Sequence, residues 1–219
     1  MFNSVEYEET DEGIVIKGYT GIEKNLKIKS EYDGIPVIKI ADNAFKKCSS
    51  LCEIIIPDGV REIGISAFEG CPGLKKITIP DTVSLIGKGA FSQCGSLTSV
   101  VIPDSITEIG GNLFKGCKNL SAITLPDNLR IIGSHAFLDC VNLTSAVIPD
   151  KVEIIGDYAF SGCRSLTSID IPDAVREIGQ GAFSNCSNLT SISIPDGVTE
   201  IKEFEFVIVS YYFNLIIFS

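Results

Sequence analysis

The sequence predicts a right-handed solenoid, mostly β, whose short strands stack turn upon turn into one parallel sheet. Three observations lead there: a strict 23-residue period, an apolar–polar alternation in one part of the unit, and turn signals filling the rest. Cysteine stands at 48, 71, 94, 117, 140, 163 and 186, and proline at 57, 80, 103, 126, 149, 172 and 195. Each of those prolines is followed by aspartate, from Asp58 to Asp196. Phenylalanine holds 45, 68, 91, 114, 137, 160, 183 and 206, and leucine holds 51, 74, 97, 120, 143, 166 and 189. An Ile-Gly pair closes on Gly64, Gly87, Gly110, Gly133, Gly156 and Gly179. So many registers in step, with no insertion, mark an internal repeat and therefore a stacked architecture.

The unit reads Leu-x-x-Ile-x-Ile-Pro-Asp-x-Val-x-x-Ile-Gly-x-x-Ala-Phe-x-x-Cys-x-x. In Leu166–Ile171 the alternation turns Ile169 and Ile171 to one side of a short strand and Ser168 and Asp170 to the other. Proline ends that strand because it has no N–H for the next ladder bond. The aspartate after it is suited to bond a following backbone amide and open a turn. Val175 and Ile178, three apart, face inward from a second short extended segment. The glycine that follows supplies either a positive φ or a close backbone approach. Ala182-Phe183-x-x-Cys186 has helical spacing with room for about one 3₁₀ or α turn. One such unit cannot cover its own apolar edge; stacking at about 4.8 Å per turn hides each edge under its neighbour.

Charge and composition exclude several functions. The net charge is −10, and Glu6, Glu8, Glu9, Asp11 and Glu12 supply half of it before residue 13. With no basic stripe to neutralise phosphates, neither nucleic acid nor an anionic membrane surface is an expected partner. The first residues lack the basic and apolar regions of a secretory signal, which points to the cytoplasm, another export route or a fragment. The longest apolar run, 206–218, is shorter than the roughly 20 residues a bilayer-spanning helix needs.

Leu-x-x-Ile-x-Ile-Pro joined to Ile-Gly-x-x-Ala-Phe-x-x-Cys resembles the BspA-like class of leucine-rich repeats, over about residues 35–206. Ile16–Gly21 followed by Asp33-Gly34-Ile35-Pro36-Val37 resembles the way such arrays begin. The expected organisation is an acidic N-terminal tail at 1–12, a cap and lengthened first coil at 13–45, seven repeats at 46–206 and an atypical apolar tail at 207–219. The resemblance implies a non-enzymatic, adhesion-type protein with a cell-surface location and a host matrix or surface protein as partner. The last unit departs from the pattern, with Lys202, Glu205 and Val209 replacing Gly, Ala and Cys. The tail then reads as truncation or read-through past the array, as a strand sealing the last coil, or as an anchor.

Motifs for catalysis are missing: no Gly-x-Ser-x-Gly, P-loop, Gly-x-Gly-x-x-Gly after a strand or His-Glu-x-x-His occurs. No enzyme activity, metal or cofactor is expected. His135 is the single histidine and takes a variable outward position. The cysteine column reads as small buried hydrophobes rather than disulfides, because parallel ladder side chains meet in poor bridging geometry. Cys52 is the exception, at a position polar in other coils. The aspartate column lacks the glycine-rich nonapeptide of calcium-binding solenoids.

What remains for binding is the outward side of the strands, expected to form the concave face: Glu53, Ile55, Lys76, Thr78, Ser99, Val101, Ala122, Thr124, Ser145, Val147, Ser168, Asp170, Ser191 and Ser193. Small hydroxyl and aliphatic residues dominate it, and it lacks the aromatic residues and arginines typical of tight hot spots. The expected function is a protein-interaction module with extended or multivalent contacts. The alternative is a structural spacer or degenerate repeat product without a specific ligand.

Overall fold

The computed structural model describes residues 4–201; the sequence expectations for 202–219 lie outside them. The described chain is a β-solenoid of about eight turns with no helix. Five strands build the N-terminal end: β1 (Val5–Thr10), β2 (Gly13–Tyr19), β3 (Asn25–Lys27), β4 (Glu31–Tyr32) and β5 (Ile35–Ile40). The coils then contribute β6 (Glu53–Ile55), β7 (Glu62–Ile63), β8 (Lys76–Thr78), β9 (Leu85–Ile86), β10 (Ser99–Val101), β11 (Glu108–Ile109), β12 (Ala122–Thr124) and β13 (Ile131–Ile132). The remainder are β14 (Ile154–Ile155), β15 (Ile169–Asp170), β16 (Glu177–Ile178), β17 (Ile192–Ser193) and β18 (Glu200–Ile201).

The acidic segment at the start of the chain is strand β1. It pairs antiparallel with β2, which runs parallel to β5. β4 and β5 form a hairpin turned by Asp33 and Gly34, at φ 52° and 81°. Two positive φ values at an Asp-Gly pair match the hairpin turn whose twist fits the flanking strands.

From there two parallel ladders run along the solenoid at a register of 23 residues. The face ladder comprises β3-β6-β8, β10-β12 and β15-β17; the back ladder comprises β2-β5-β7-β9, with β1 antiparallel at its end, and β11-β13-β14-β16-β18. Neither is continuous. Both are interrupted at the same junction, between the β8–β9 coil and the β10–β11 coil, and residues 145–147 form no strand. Ala146 stands where the other coils carry Ile54, Ile77, Val100, Ile123, Ile169 and Ile192. A small, unbranched residue gives that coil the weakest strand preference of the series.

The third side is built from turns. Bonds of the expected i→i−3 type form at alternate residues, but no continuous 3₁₀ or α turn results. In the first full coil Ala44, Lys46 and Cys48 donate to Ala41, Asn43 and Phe45, while Asn43, Phe45 and Lys47 donate to Ile65, Ala67 and Glu69 of the next coil. Left-handed residues stand at two positions of this alternation. Positions 43, 66, 89, 112, 135, 158 and 181, and positions 47, 70, 93, 116, 139, 162 and 185, all have φ between 52° and 73°. The amides of the left-handed residues themselves, Asn43 and Lys47 in that coil, donate to the next coil, and the amides after them, Ala44 and Cys48, close the local bonds. The occupants of the left-handed positions are mostly Gly, Asn, Ser, Asp and Gln, with His135, Tyr158 and Lys47 as bulky exceptions.

The corner glycines work by the second of the two mechanisms open to them. None of the six has a positive φ. A Cβ on Gly64, Gly87, Gly133, Gly156 or Gly179 would instead come within 2.8 Å of a backbone atom of the preceding coil. Gly110 differs, with its nearest neighbour, the Ile86 carbonyl, at 3.7 Å. The Pro-Asp turn also differs from expectation. Its closing bond is backbone to backbone, from Val60 to Pro57 and likewise in the six later coils, at 3.0–3.4 Å. The aspartates occupy the exposed corner, and no amide of the described residues donates to their carboxylates.

Side chains of the repeat form one core. Phe45, Phe68, Phe91, Phe114, Phe137, Phe160 and Phe183 are all buried and stack with centroids 5.0–5.6 Å apart. Tyr19 of β2 continues the stack onto Phe45 at 5.6 Å. Each buried phenylalanine contributes about 1.5–3 kcal/mol by leaving water, and offset aromatic pairs add about 0.5–1.5 kcal/mol.

Candidate functional site

The strand face carries the residues that the sequence assigned to binding. Glu53 and Ile55 are half-buried; Lys76, Thr78, Ser99, Val101, Ala122, Thr124, Ser145, Val147, Ser168, Asp170, Ser191 and Ser193 are exposed. Their inward neighbours Ile54, Ile77, Val100, Ala146, Ile169 and Ile192 belong to the core. Cross-strand register brings Glu53 beside Lys76, Ile55 beside Thr78, Ser99 beside Ala122, Val101 beside Thr124, and Asp170 beside Ser193. Ser145 and Val147 lie on the same side without ladder pairing.

Charge is confined to the two ends of this surface. Glu53 and Lys76 form an ion pair at 3.2 Å, and Asp170 is the next charged residue along the outward positions. Between them the face is neutral, and it presents Val101 at 67% and Val147 at 82% exposure. Aliphatic side chains that open to solvent are the apolar contact area this face offers.

At its N-terminal end the face runs into a cleft of about 1090 Å³, which sequence reasoning missed. Ile55, Pro57, Thr78 and Pro80 line one side, and Lys27, Lys29, Tyr7 and Tyr32 the other. The two tyrosine rings pack at 4.3 Å, and the Lys29 Nζ lies 5.5 Å from the Tyr32 ring centroid. Burial raises the Tyr32 hydroxyl pKa, with Tyr7 adding to the effect. Both tyrosines lie outside the 23-residue period, so no repeat signal announces them.

The cysteine column is a structural device. Cys71, Cys94, Cys117, Cys140, Cys163 and Cys186 are buried, unbridged, and donate from Sγ to the Phe carbonyl 26 residues earlier, at 3.0–3.3 Å. Burial pushes the Cys117 thiol up to about 12 and the Cys186 thiol up to about 11, which keeps both protonated as donors. Cys48 and Cys52 are half-buried. Among the described residues no three His, Cys, Asp or Glu side chains are grouped to hold a metal ion. His135 is half-buried and stacks on Tyr158 at 5.4 Å. No helix of the described residues is long and apolar enough to cross a membrane.

A solenoid of stacked 23-residue coils defines the class: a repeat protein whose faces are assembled from many coils. The BspA type leucine-rich repeat region matches residues 38–164 and 130–218 in six copies, and the chain belongs to that family. Among solved structures, a T. pallidum leucine-rich repeat protein is 37% identical with a TM-score of 0.82, over 86% of this chain and 89% of that one. A leucine-rich repeat protein from Bacteroides ovatus is 29% identical with a TM-score of 0.53, over 89% of this chain and 64% of that one. A leucine-rich cell surface protein from Faecalibacterium prausnitzii is 25% identical with a TM-score of 0.52, over 91% and 83%. No functionally curated protein matches the chain.

Proposed function

We propose that this protein is a non-enzymatic interaction module that binds a matrix or cell-surface protein through its strand face, in the manner of an adhesin. The observation that supports this most is the neutral run of outward residues from Thr78 to Ser168, with Val101 and Val147 standing open among serines and threonines. Such a surface offers hydrogen bonds and modest apolar area over several coils, and gains affinity by extended contact rather than a single pocket. A similar fold in a protein described as a cell surface protein supports the location.

The test is binding of the purified protein to a panel of immobilised extracellular-matrix proteins. Ser145→Arg and Ser168→Arg each place a bulky charge on the face and are expected to weaken binding about tenfold or more. Ser84→Arg, exposed on the back of the solenoid, is expected to leave it unchanged. No bound protein at micromolar concentration, or equal binding by all three variants, contradicts the proposal.

A further inference from the structure

The two ladders end differently at the N-terminal end. The back ladder is closed by the β1–β2 hairpin, whereas the face ladder starts at β3, which pairs only with β6. Glu53 donates to the Lys24 carbonyl at 2.9 Å, and Ile28 donates to the Ile55 carbonyl at 3.1 Å. Residues 24 and 28 therefore turn their backbone groups toward β6. Alternation along a strand turns those of Asn25 and Lys27 the other way, and no described residue bonds them.

Charge marks what such an edge admits. Lys17, Lys39, Lys46 and Lys76 each hold a carboxylate at 2.8–3.2 Å. Lys24, Lys27 and Lys29 are exposed, and none pairs with a described carboxylate, in a chain of net charge −10. Lysines on a bare edge repel a second edge of the same kind and favour a strand of opposite charge. The cleft beside β3 is lined by Tyr7, Tyr32, Ile55 and Pro57 and also by Glu31, Asp33 and Asp58. It therefore offers room for an uncharged side chain of a strand laid there, while that strand's carboxylates stay outside, beside the edge lysines.

We propose that an extended acidic segment of a partner protein adds to the free edge of β3. It bonds the outward backbone groups of Asn25 and Lys27, sets its carboxylates beside Lys24, Lys27 and Lys29, and lodges an uncharged side chain in the tyrosine-lined cleft. Main-chain bonds supply affinity in this mode, and alternate side chains supply selectivity. The inference is independent of the strand-face proposal, whose variants Ser145→Arg and Ser168→Arg leave this edge untouched.

The probe is a fluorescein-labelled seven-residue peptide of alternating Glu and Val, followed by anisotropy with the full chain. Saturable binding is expected, weakened by salt and by at least about tenfold when alternate peptide amides are N-methylated. Lys27→Pro removes an outward donor and no ladder bond, so it is expected to weaken binding about tenfold with an unchanged circular dichroism spectrum. Lys27→Glu/Lys29→Glu, a surface change, is expected to abolish it. Absence of binding to the unmodified chain, equal binding of the N-methylated peptide, or indifference to both substitutions overturns the proposal. So does a concentration-dependent dimer in sedimentation that the peptide fails to dissociate, since the occupant would then be a second copy.

Discussion

The turn side and the strand sides of this solenoid are built from the same 23-residue unit, yet only the turn side is continuous. From Phe45 to Phe183 every ring meets the next at 5.0–5.6 Å. The backbone bonds of that side also persist across the junction where both strand ladders stop. Gly89, Phe91 and Gln93 donate to Gly111, Leu113 and Lys115 at 2.6–3.1 Å. On the strand sides, Gly133, Gly156 and Gly179 donate to the isoleucine carbonyl 24 residues earlier at 2.7–2.8 Å, and Gly110 makes no such bond. The difference teaches that register is carried by the phenylalanine, cysteine and left-handed columns, and that the sheets follow. That arrangement leaves the strand sides free to vary without loss of the stack.

The sharpest way to break the comparison is to cut each side in turn. Phe114→Ala removes a fully buried ring with a neighbour on each side and is expected to cost about 3–5 kcal/mol in urea unfolding. Val147→Ala, on a residue 82% exposed, is expected to change stability by less than about 0.5 kcal/mol. Comparable losses from the two would contradict the asymmetry.

A smaller effect separates two chemically identical positions. Gly156→Ala drives a methyl toward the Ser134 amide, 2.6 Å from the ideal Cβ, and is expected to cost about 1–3 kcal/mol. Gly110→Ala finds its nearest atom at 3.7 Å, an ordinary contact, and is expected to be neutral within about 0.5 kcal/mol. Thermal unfolding of the pair reads the difference directly.

How much of this was legible beforehand follows from what repeats. The aromatic and cysteine columns were open to reading because their residue types recur in every unit from residue 45 to residue 186 and their burial follows from stacking. The outward positions of the strands were equally readable from alternation. The ladder break was not, because Gly110 matches the consensus and the opening is a matter of distance rather than residue type. Ala146 did carry a signal for the coil that loses its strand, visible only against the isoleucine or valine of its neighbours. The tyrosine-lined cleft was hidden for another reason: Tyr7 and Tyr32 come from the non-repeating cap and meet the face only after folding. The aspartates after the prolines misled, since a residue suited to bond a turn amide also suits an exposed corner that needs no bond.

The turn side holds the coils in register, and amide hydrogen exchange resolved by residue probes this. The amides of Phe91, Phe114, Phe137 and Phe160, each bonded to the next coil, should exchange only through global unfolding and show the highest protection in the chain. Those of Thr107 and Gly110, which lack the cross-coil bonds of Arg130 and Gly133, should exchange through local opening, faster by orders of magnitude. Uniform protection along both strand ladders, with faster exchange at the phenylalanine amides, would contradict it.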